Sequence, residues 1–365
     1  MKRKIAFLIP SLRGGGAERV TVNIIRNLDP NKFDIKLILL KKEGPYLRDL
    51  PENIEVVDLN TTRVRNSLIP LIKVLNIIRP DVIFSTMGHL NIAVLAIKYF
   101  IKGNPKIIVR EANTPSKDIR RNKKMFTFLY KYLYPKADLI IAQCDEMKND
   151  IMHFSNVKGE NIQYIYNPLD INNIREMSVG ISPYYGKMVN FLSVGRLTQQ
   201  KGFDTLINAF TIVSKNIPNA HLTILGEGEL KSTLQTQVNV LGMREKVSFV
   251  GFKNNPYPYY KNADVFVLWS RWEGFPNTLL EALACGVKVV STNCKSGPYE
   301  ILGGNEYGNL SEEGDYKSLA KEMIASHIEV NKTGNRADVF DIKHIIKKYE
   351  SIFLTGGNFA LKNNE

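Results

Sequence analysis

Val265-Phe266-Val267-Leu268-Trp269-Ser270-Arg271-Trp272-Glu273-Gly274-Phe275-Pro276-Asn277-Thr278-Leu279-Leu280-Glu281-Ala282 reads as a strand, a loop and the start of a helix. The run Val265 to Leu268 is apolar throughout and lacks the alternation of a half-exposed strand, so it predicts a strand covered on both faces. Asn277 or Thr278 is placed to cap a helix from Leu279 to Cys285. The same grammar recurs along the chain. Apolar runs at Ile5 to Ile9, Ile35 to Leu40, Val82 to Ser85, Ile107 to Val109 and Leu139 to Ala142 form one series. Asn190 to Val194, Leu222 to Leu225, Val247 to Phe249, Val265 to Leu268 and Val287 to Val290 form a second. Short unbroken runs alternating with helical patterns predict an α/β, doubly wound fold with parallel sheets.

The two series part between about Tyr166 and Lys187, where Asn-Pro-Leu-Asp and Ser-Pro-Tyr-Tyr-Gly interrupt the pattern. The expected division is an N-terminal domain 1–170, a C-terminal domain 171–341, a helix 342–354 that could pack on either domain, and a disordered tail 355–365. The length of 365 residues suits two domains, and 44% hydrophobic with 23% charged residues disfavours disorder and coiled coil. Three cysteines (Cys144, Cys285, Cys294) form no CxxC and are too few for a disulfide framework, so they read as packing residues in a reducing compartment. Lys2 to Lys4 followed by Ile5 to Pro10 imitates a signal peptide but is too short for one, and no apolar stretch approaches the ~18 to 20 residues of a membrane span. The net charge of +13 is the anomaly. Residues 1–170 hold 28 basic and 17 acidic residues, net +11, against +2 for the remainder, so the first half is the half expected to meet an anionic partner.

Three segments carry chemistry. Ser11-Leu12-Arg13-Gly14-Gly15-Gly16-Ala17-Glu18-Arg19 leads from the first strand into a helix beginning near Ala17. Glycines there let backbone approach a ligand, and a helix start offers N–H groups to phosphate. A tight turn without ligand is the alternative. The spacing is not GxGxxG and no acidic residue follows at the ribose position, which disfavours NAD. Arg196, after the strand ending at Val194, and Lys201, before the next helix, lie where parallel sheets bind ligands and could neutralise a diphosphate, although loop cations are also commonly just solvated. Glu273 and Glu281 bracket the Gly274-Phe275-Pro276 turn and the helix start at Asn277 and Thr278. Carboxylates accept hydrogen bonds from sugar hydroxyls while the helix start takes phosphate, so the pair suits a sugar nucleotide. For Glu281 alone, a glutamate stabilised by the helix dipole is the simpler account.

Gly-Gly-Gly-Ala-Glu-Arg at 14–19, Ser-Val-Gly-Arg-Leu at 193–197 with Lys201-Gly202-Phe203, Leu-Gly-Glu-Gly-Glu at 225–229, and Glu273 ahead of Glu281 together resemble the retaining glycosyltransferases of family 4. Lys295-Ser296-Gly297-Pro298-Tyr299-Glu300-Ile301-Leu302 is similar to the branch that builds bacterial polysaccharides and lipid-linked oligosaccharides. The resemblance implies a GT-B architecture: two Rossmann-like domains facing a cleft, acceptor on the first, donor on the second, and the last helix crossing back to the first. It implies that Arg196 and Lys201 clamp the diphosphate and that Glu281 holds ribose. Glu273 would hold hydroxyls of the transferred sugar, backbone N–H groups of Gly274, Phe275, Asn277 and Thr278 around Pro276 would contact sugar and phosphates, and the loop at Gly15 and Gly16 would close over the donor. Many relatives carry a histidine after the strand Ile107 to Val109. Here the sequence is Arg110-Glu111-Ala112-Asn113, so Glu111 is a catalytic candidate whose role is open, and His89, in a loop after the strand at Val82, is another.

No Asp-x-Asp occurs and the histidines are scattered, so no metal and no other cofactor is expected. The resemblance implies retention, by same-face attack in which the departing phosphate helps take the acceptor proton. Arg120, Arg121, Lys123 and Lys124 precede the aromatic run Met125 to Tyr134, and Arg63, Arg65 and Lys73 flank a second apolar helix pattern. Cations beside aromatic and apolar residues suit an anionic membrane surface, and an ordinary solvated helix is the competing account. The expected enzyme is a hexosyltransferase, peripheral on the cytoplasmic membrane face, moving a hexose or N-acetylhexosamine from a nucleotide sugar, UDP above all, to a polyprenyl-diphosphate-linked saccharide. The rivals are a sugar-nucleotide epimerase or phosphorylase on the same fold, and a basic nucleic-acid-binding protein, for which no zinc finger or RNA-recognition signature is present.

Overall fold

A computed structural model of the chain describes residues 1–119, 122–184 and 186–357. Arg120 and Arg121, and all but the first three residues of the expected tail, lie outside the described residues.

Among the described residues, thirteen strands form two all-parallel sheets. The first takes β1 (Arg3–Ile9), β2 (Phe33–Leu39), β3 (Glu55–Asp58), β4 (Val82–Thr86), β5 (Lys106–Arg110), β6 (Leu139–Ala142) and β7 (Ile162–Tyr164), in the order β3-β2-β1-β4-β5-β6-β7. The second takes β8 (Val189–Val194), β9 (Ala220–Leu225), β10 (Val247–Gly251), β11 (Val265–Leu268), β12 (Lys288–Thr292) and β13 (Asn309–Ser311), in the order β10-β9-β8-β11-β12-β13. The central strands are the unbroken apolar runs: every residue of β4, β6 and β11 is buried, as helices on both faces require. The sequence reading missed β3, β7 and β13. They are three or four residues long and sit at sheet edges: β3 has no buried residue, β7 and β13 are buried only in part, and no apolar run announces them.

The chain divides into two compact units, Met1–Pro168 with the chain from Ile342 onward, and Leu169–Asp341. Part of the stretch read as an interruption is a helix, Ile171–Met177, started by Asp170, whose side chain accepts from the Asn173 N–H at 3.2 Å. In the first unit the helix Ile342–Thr355 lays Ile345, Ile346, Tyr349, Ile352 and Phe353 against β1, β2 and β4. The Phe353 ring lies 5.7 Å from Phe7 and 5.4 Å from Phe84, both edge-on. This helix includes Thr355, whose hydroxyl donates to the Ser351 carbonyl at 2.9 Å, and the Gly357 N–H returns to the Ile352 carbonyl. The start of the expected tail is therefore a folded helix end.

Two further expectations need correction. The helix after β11 is Asn277–Cys285, and its cap is Pro276 rather than Asn277 or Thr278: the ring fixes φ at −71° and no side-chain oxygen caps the start. His89 is not in a loop but second in the helix Gly88–Ala96, with its ring edge-on to Phe126 at 4.8 Å. All three cysteines are buried thiols outside any disulfide among the described residues. No helix among the described residues is long and apolar enough to cross a membrane.

Candidate functional site

Strand order reverses on either side of β1 in the first sheet and β8 in the second, and loops leaving the carboxyl ends of strands at such points diverge to leave a crevice. The sequence segments read as chemical lie there: the glycine loop after β1, Arg196 after β8 and Glu273 after β11.

In the second unit backbone fits directly on backbone. Gly226, at φ 138°, passes so close to β8 that a Cβ would stand 1.9 Å from the Gly195 carbonyl oxygen. The Leu197 N–H donates to the Glu227 carbonyl at 2.9 Å and the Leu230 N–H to the Leu197 carbonyl at 3.0 Å. The Leu-Gly-Glu-Gly-Glu segment thus fixes the loop bearing Arg196, whose side chain is exposed and ion-paired to no described residue. Gly226→Ala is expected to destabilise the unit by about 2 to 3 kcal/mol, combining a backbone clash with a conformation alanine disfavours, as read by urea unfolding.

Lys201 closes a short turn, Gln199–Lys201, and Gly202 follows at φ 59° with its Cα against the Trp269 carbonyl, where a Cβ would sit 2.5 Å from oxygen. That approach docks the turn on the loop after β11. Lys201 Nζ reaches Glu273 Oε1 at 2.5 Å, with side-chain exposures of 15% and 6%, and the Ser270 hydroxyl donates to the same oxygen at 2.5 Å. Arg271 braces the two loops: its N–H donates to the Gln200 carbonyl at 2.8 Å, Nη1 to the Gln199 carbonyl at 2.7 Å, and Nη2 pairs with Asp204 Oδ2 at 2.7 Å. Sequence reasoning passed over Ser270, Arg271 and Asp204. The Arg-x-Glu spacing gave no hint that the arginine faces another loop.

Gly274 to Pro276 are held from behind by the turn after β12. Gly297 takes φ 93°, and a Cβ there would lie 2.8 Å from Pro276 Cδ and 3.1 Å from the Gly274 carbonyl, so Ser296-Gly297-Pro298 buttresses the Gly-Phe-Pro turn. Thr278 Oγ1 is buried at the helix start and pairs with nothing among the described residues. Glu281, one turn inside, is buried and accepts from the Tyr260 hydroxyl at 3.3 Å. The structure therefore joins Lys201 to Glu273 directly and places Asn277, Thr278 and Glu281 on the helix that the same loop enters.

In the first unit, Gly15 and Gly16 stand at the start of the helix Gly16–Asn27, and the residue that needs to be glycine is Gly14, at φ 105°. At the ends of β4 and β5 a polar cluster is buried. Glu111 is 3% exposed, and its Oε1 accepts from Asn91 Nδ2 at 3.3 Å, from the Tyr130 hydroxyl at 3.2 Å and from the Tyr134 hydroxyl. Gln143 Nε2 donates to the Glu111 carbonyl at 2.7 Å. Burial pushes the Glu111 carboxyl up to about 8, against the opposing hydrogen bonds from Asn91 and Tyr130, so it holds its proton at neutral pH. Arg110, 1% exposed, donates to Asn167 Oδ1 on the segment that leaves the unit, a contact not anticipated from sequence. Arg63, Arg65, Lys123 and Lys124 are exposed and form no ion pair among the described residues. Nor do those residues hold three His, Cys, Asp or Glu grouped to bind a metal ion.

Comparison with known proteins identifies the family and the fold. Residues 14–173 match the family described as Glycosyltransferase Family 4, and residues 181–336 match Glycosyl transferases group 1. The N-acetylgalactosamine-N,N'-diacetylbacillosaminyl-diphospho-undecaprenol 4-alpha-N-acetylgalactosaminyltransferase of Campylobacter jejuni is 31% identical over 93% of this chain and 96% of its own length. An uncharacterized glycosyltransferase of Methanocaldococcus jannaschii is 34% identical over 70% of this chain and 65% of its own. Among solved structures, Anabaena HepE in complex with UDP and glucose superposes with a TM-score of 0.80 at 19% identity, covering 97% of this chain and 100% of that one. Two parallel Rossmann-like sheets, matches to the family along both units and a relative similar from end to end make this chain a GT-B glycosyltransferase of family 4.

Proposed function

We propose that the protein transfers a hexose or N-acetylhexosamine from a UDP-sugar, with retention of anomeric configuration, to a saccharide carried on polyprenyl diphosphate. It would work at the cytoplasmic face of an anionic membrane, in the assembly of a surface polysaccharide or glycan. The observation that carries this reading is the Lys201–Glu273 pair at the end of β11, with Arg196 exposed after the neighbouring strand. An ammonium and a guanidinium offset the charge that grows on a departing diphosphate, and the carboxylate accepts from sugar hydroxyls. In this reading Glu281 holds the ribose, and N–H groups at the start of the helix Asn277–Cys285 meet phosphate. Stabilisation of the leaving group rests on these side chains, so EDTA is expected to leave the rate unchanged. The acceptor class follows the Campylobacter jejuni relative, whose name gives a diphospho-undecaprenol-linked sugar, and the donor class follows the UDP complex of HepE.

The test is to incubate the purified protein with a panel of sugar nucleotides and lipid-diphosphate saccharides, then identify products by mass and anomeric NMR. The expected product is an α-linked sugar from an α-linked donor, formed only with acceptor present. A β-linked product would overturn retention. Conversion of the sugar nucleotide without acceptor would replace the reading with an epimerase.

A further inference from the structure

Two different supports hold the Gly274-Phe275-Pro276 turn, and both run to Arg336. The first comes from behind. Gly297, packed on Pro276 and the Gly274 carbonyl, opens the helix Pro298–Leu302. Five residues are too few for a helix to hold itself, and the carbonyls of its last turn need donors. Arg336 supplies them: Nε donates to the Ile301 carbonyl at 2.7 Å and Nη2 to the Glu300 carbonyl at 2.5 Å. A cation at that end also complements the helix dipole.

The second support acts on the Phe275 ring. It is buried and meets the Phe340 ring edge-on at 5.7 Å. Phe340 is itself buried, and its carbonyl accepts the Leu169 N–H at 2.9 Å, so its backbone is fixed from the other side. The Arg336 guanidinium lies over the Phe340 ring, 5.4 Å from its centre, and over the Tyr307 ring at 5.0 Å. Arg336 forms no ion pair among the described residues. Its charge is directed at two carbonyls and two rings, a combination that a planar guanidinium makes and an ammonium does not. Residues 274–276, 297–302 and 336–340 are thus tied together through one side chain.

We propose that Arg336 is a positioning residue for the donor: without touching the nucleotide sugar, it holds the Gly274-Phe275-Pro276 turn in the form that receives sugar and diphosphate. The inference rests on the reading of a sugar-nucleotide donor. The test compares wild type with Arg336→Ala and with Phe340→Leu, which keeps an apolar side chain, removes the ring, and serves where Arg336→Ala does not fold. All measurements are made well below the melting temperature of each variant. Amide exchange in the ligand-free protein reads the turn itself, because the Leu279 and Leu280 N–H groups both bond the Pro276 carbonyl, at 3.0 and 3.3 Å. Both are expected to exchange about tenfold or more faster in the variants, with the N–H groups of β9 unchanged. Calorimetry uses whichever of UDP, GDP or ADP wild type binds most tightly, and binding is expected to weaken about fivefold or more. KM for the sugar nucleotide should rise alike, while KM for the acceptor stays unchanged. A merely structural loss has a different signature: it lowers the folded fraction, hence the apparent kcat, and leaves the affinity of folded molecules as it was. Unchanged exchange at Leu279 and Leu280 overturns the proposal. So does faster exchange with undiminished nucleotide binding, because the turn is then supported without being positioned for the donor. A wild-type chain that binds no nucleoside diphosphate and transfers no sugar overturns this inference together with the functional reading, and it is told apart from the other two results by appearing without any substitution.

Discussion

Arg196→Ala and Lys201→Ala are each expected to lower kcat by about 100-fold or more, the loss produced when one charge-stabilising group is removed from a site where charge develops. The two variants reach this result by different physical routes. Arg196 is exposed and ion-paired to no described residue, so its removal should change unfolding free energy by no more than about 0.5 kcal/mol. Lys201 pairs at 2.5 Å with a carboxylate that is 6% exposed, and its removal takes the cation from an oxygen to which the Ser270 hydroxyl still donates. Some lost stability is therefore expected in Lys201→Ala. The double variant Lys201→Ala, Glu273→Gln separates the effects. It should recover stability, because the buried charge that lost its cation is gone, and it should not recover turnover. Near-wild-type rates for Arg196→Ala and Lys201→Ala would remove both from the diphosphate clamp, whatever their stability.

The fold was legible wherever burial on both faces forced an unbroken apolar run. It was illegible at Glu55–Asp58, Ile162–Tyr164 and Asn309–Ser311, where partial exposure removes the signal. The candidate site was legible as separate pieces. Lys201 and Glu273 are 72 residues apart, and what brings them together is Gly202 lying on the Trp269 carbonyl, a contact with no trace in local pattern. The run Met125 to Tyr134 shows a subtler limit. Read as one amphipathic stretch it suggested either a membrane surface or a core helix, and helical periodicity divides it into an inward and an outward face. Tyr130, Leu133 and Tyr134 turn inward, with both tyrosine hydroxyls on Glu111, while Met125, Phe128 and Tyr132 face outward. The inward tyrosines are 19 and 23 residues from Glu111, so a sequence that names Glu111 as a candidate near the reacting sugar does not disclose that it is enclosed.

That enclosure gives Glu111→Gln a distinctive expected result. The Glu111 carboxyl is raised from an ordinary 4.5 to about 8, first by burial. Between these values the folded chain keeps a proton that the unfolded chain has lost. Stability contributed by the neutral carboxyl is complete below about 4.5 and falls as pH rises towards 8, by about 1.4 kcal/mol per unit and roughly 4 to 5 kcal/mol in all. Glutamine removes that slope and keeps the contacts. Asn91, Tyr130 and Tyr134 all donate to Oε1, and an amide oxygen accepts from the same three groups. Urea midpoints at pH 5.5 and 8.5 should therefore diverge, with wild type losing several kcal/mol more than Glu111→Gln across the interval. Parallel profiles would show that Glu111 ionises normally in the folded chain. Turnover at neutral pH supplies the second readout. A carboxyl that already bears its proton, with one oxygen taken by three donors, is a poor general base, so Glu111→Gln should keep kcat within a few-fold of wild type. A collapse of kcat without loss of stability would instead place proton transfer at Glu111, the position where many family members carry histidine.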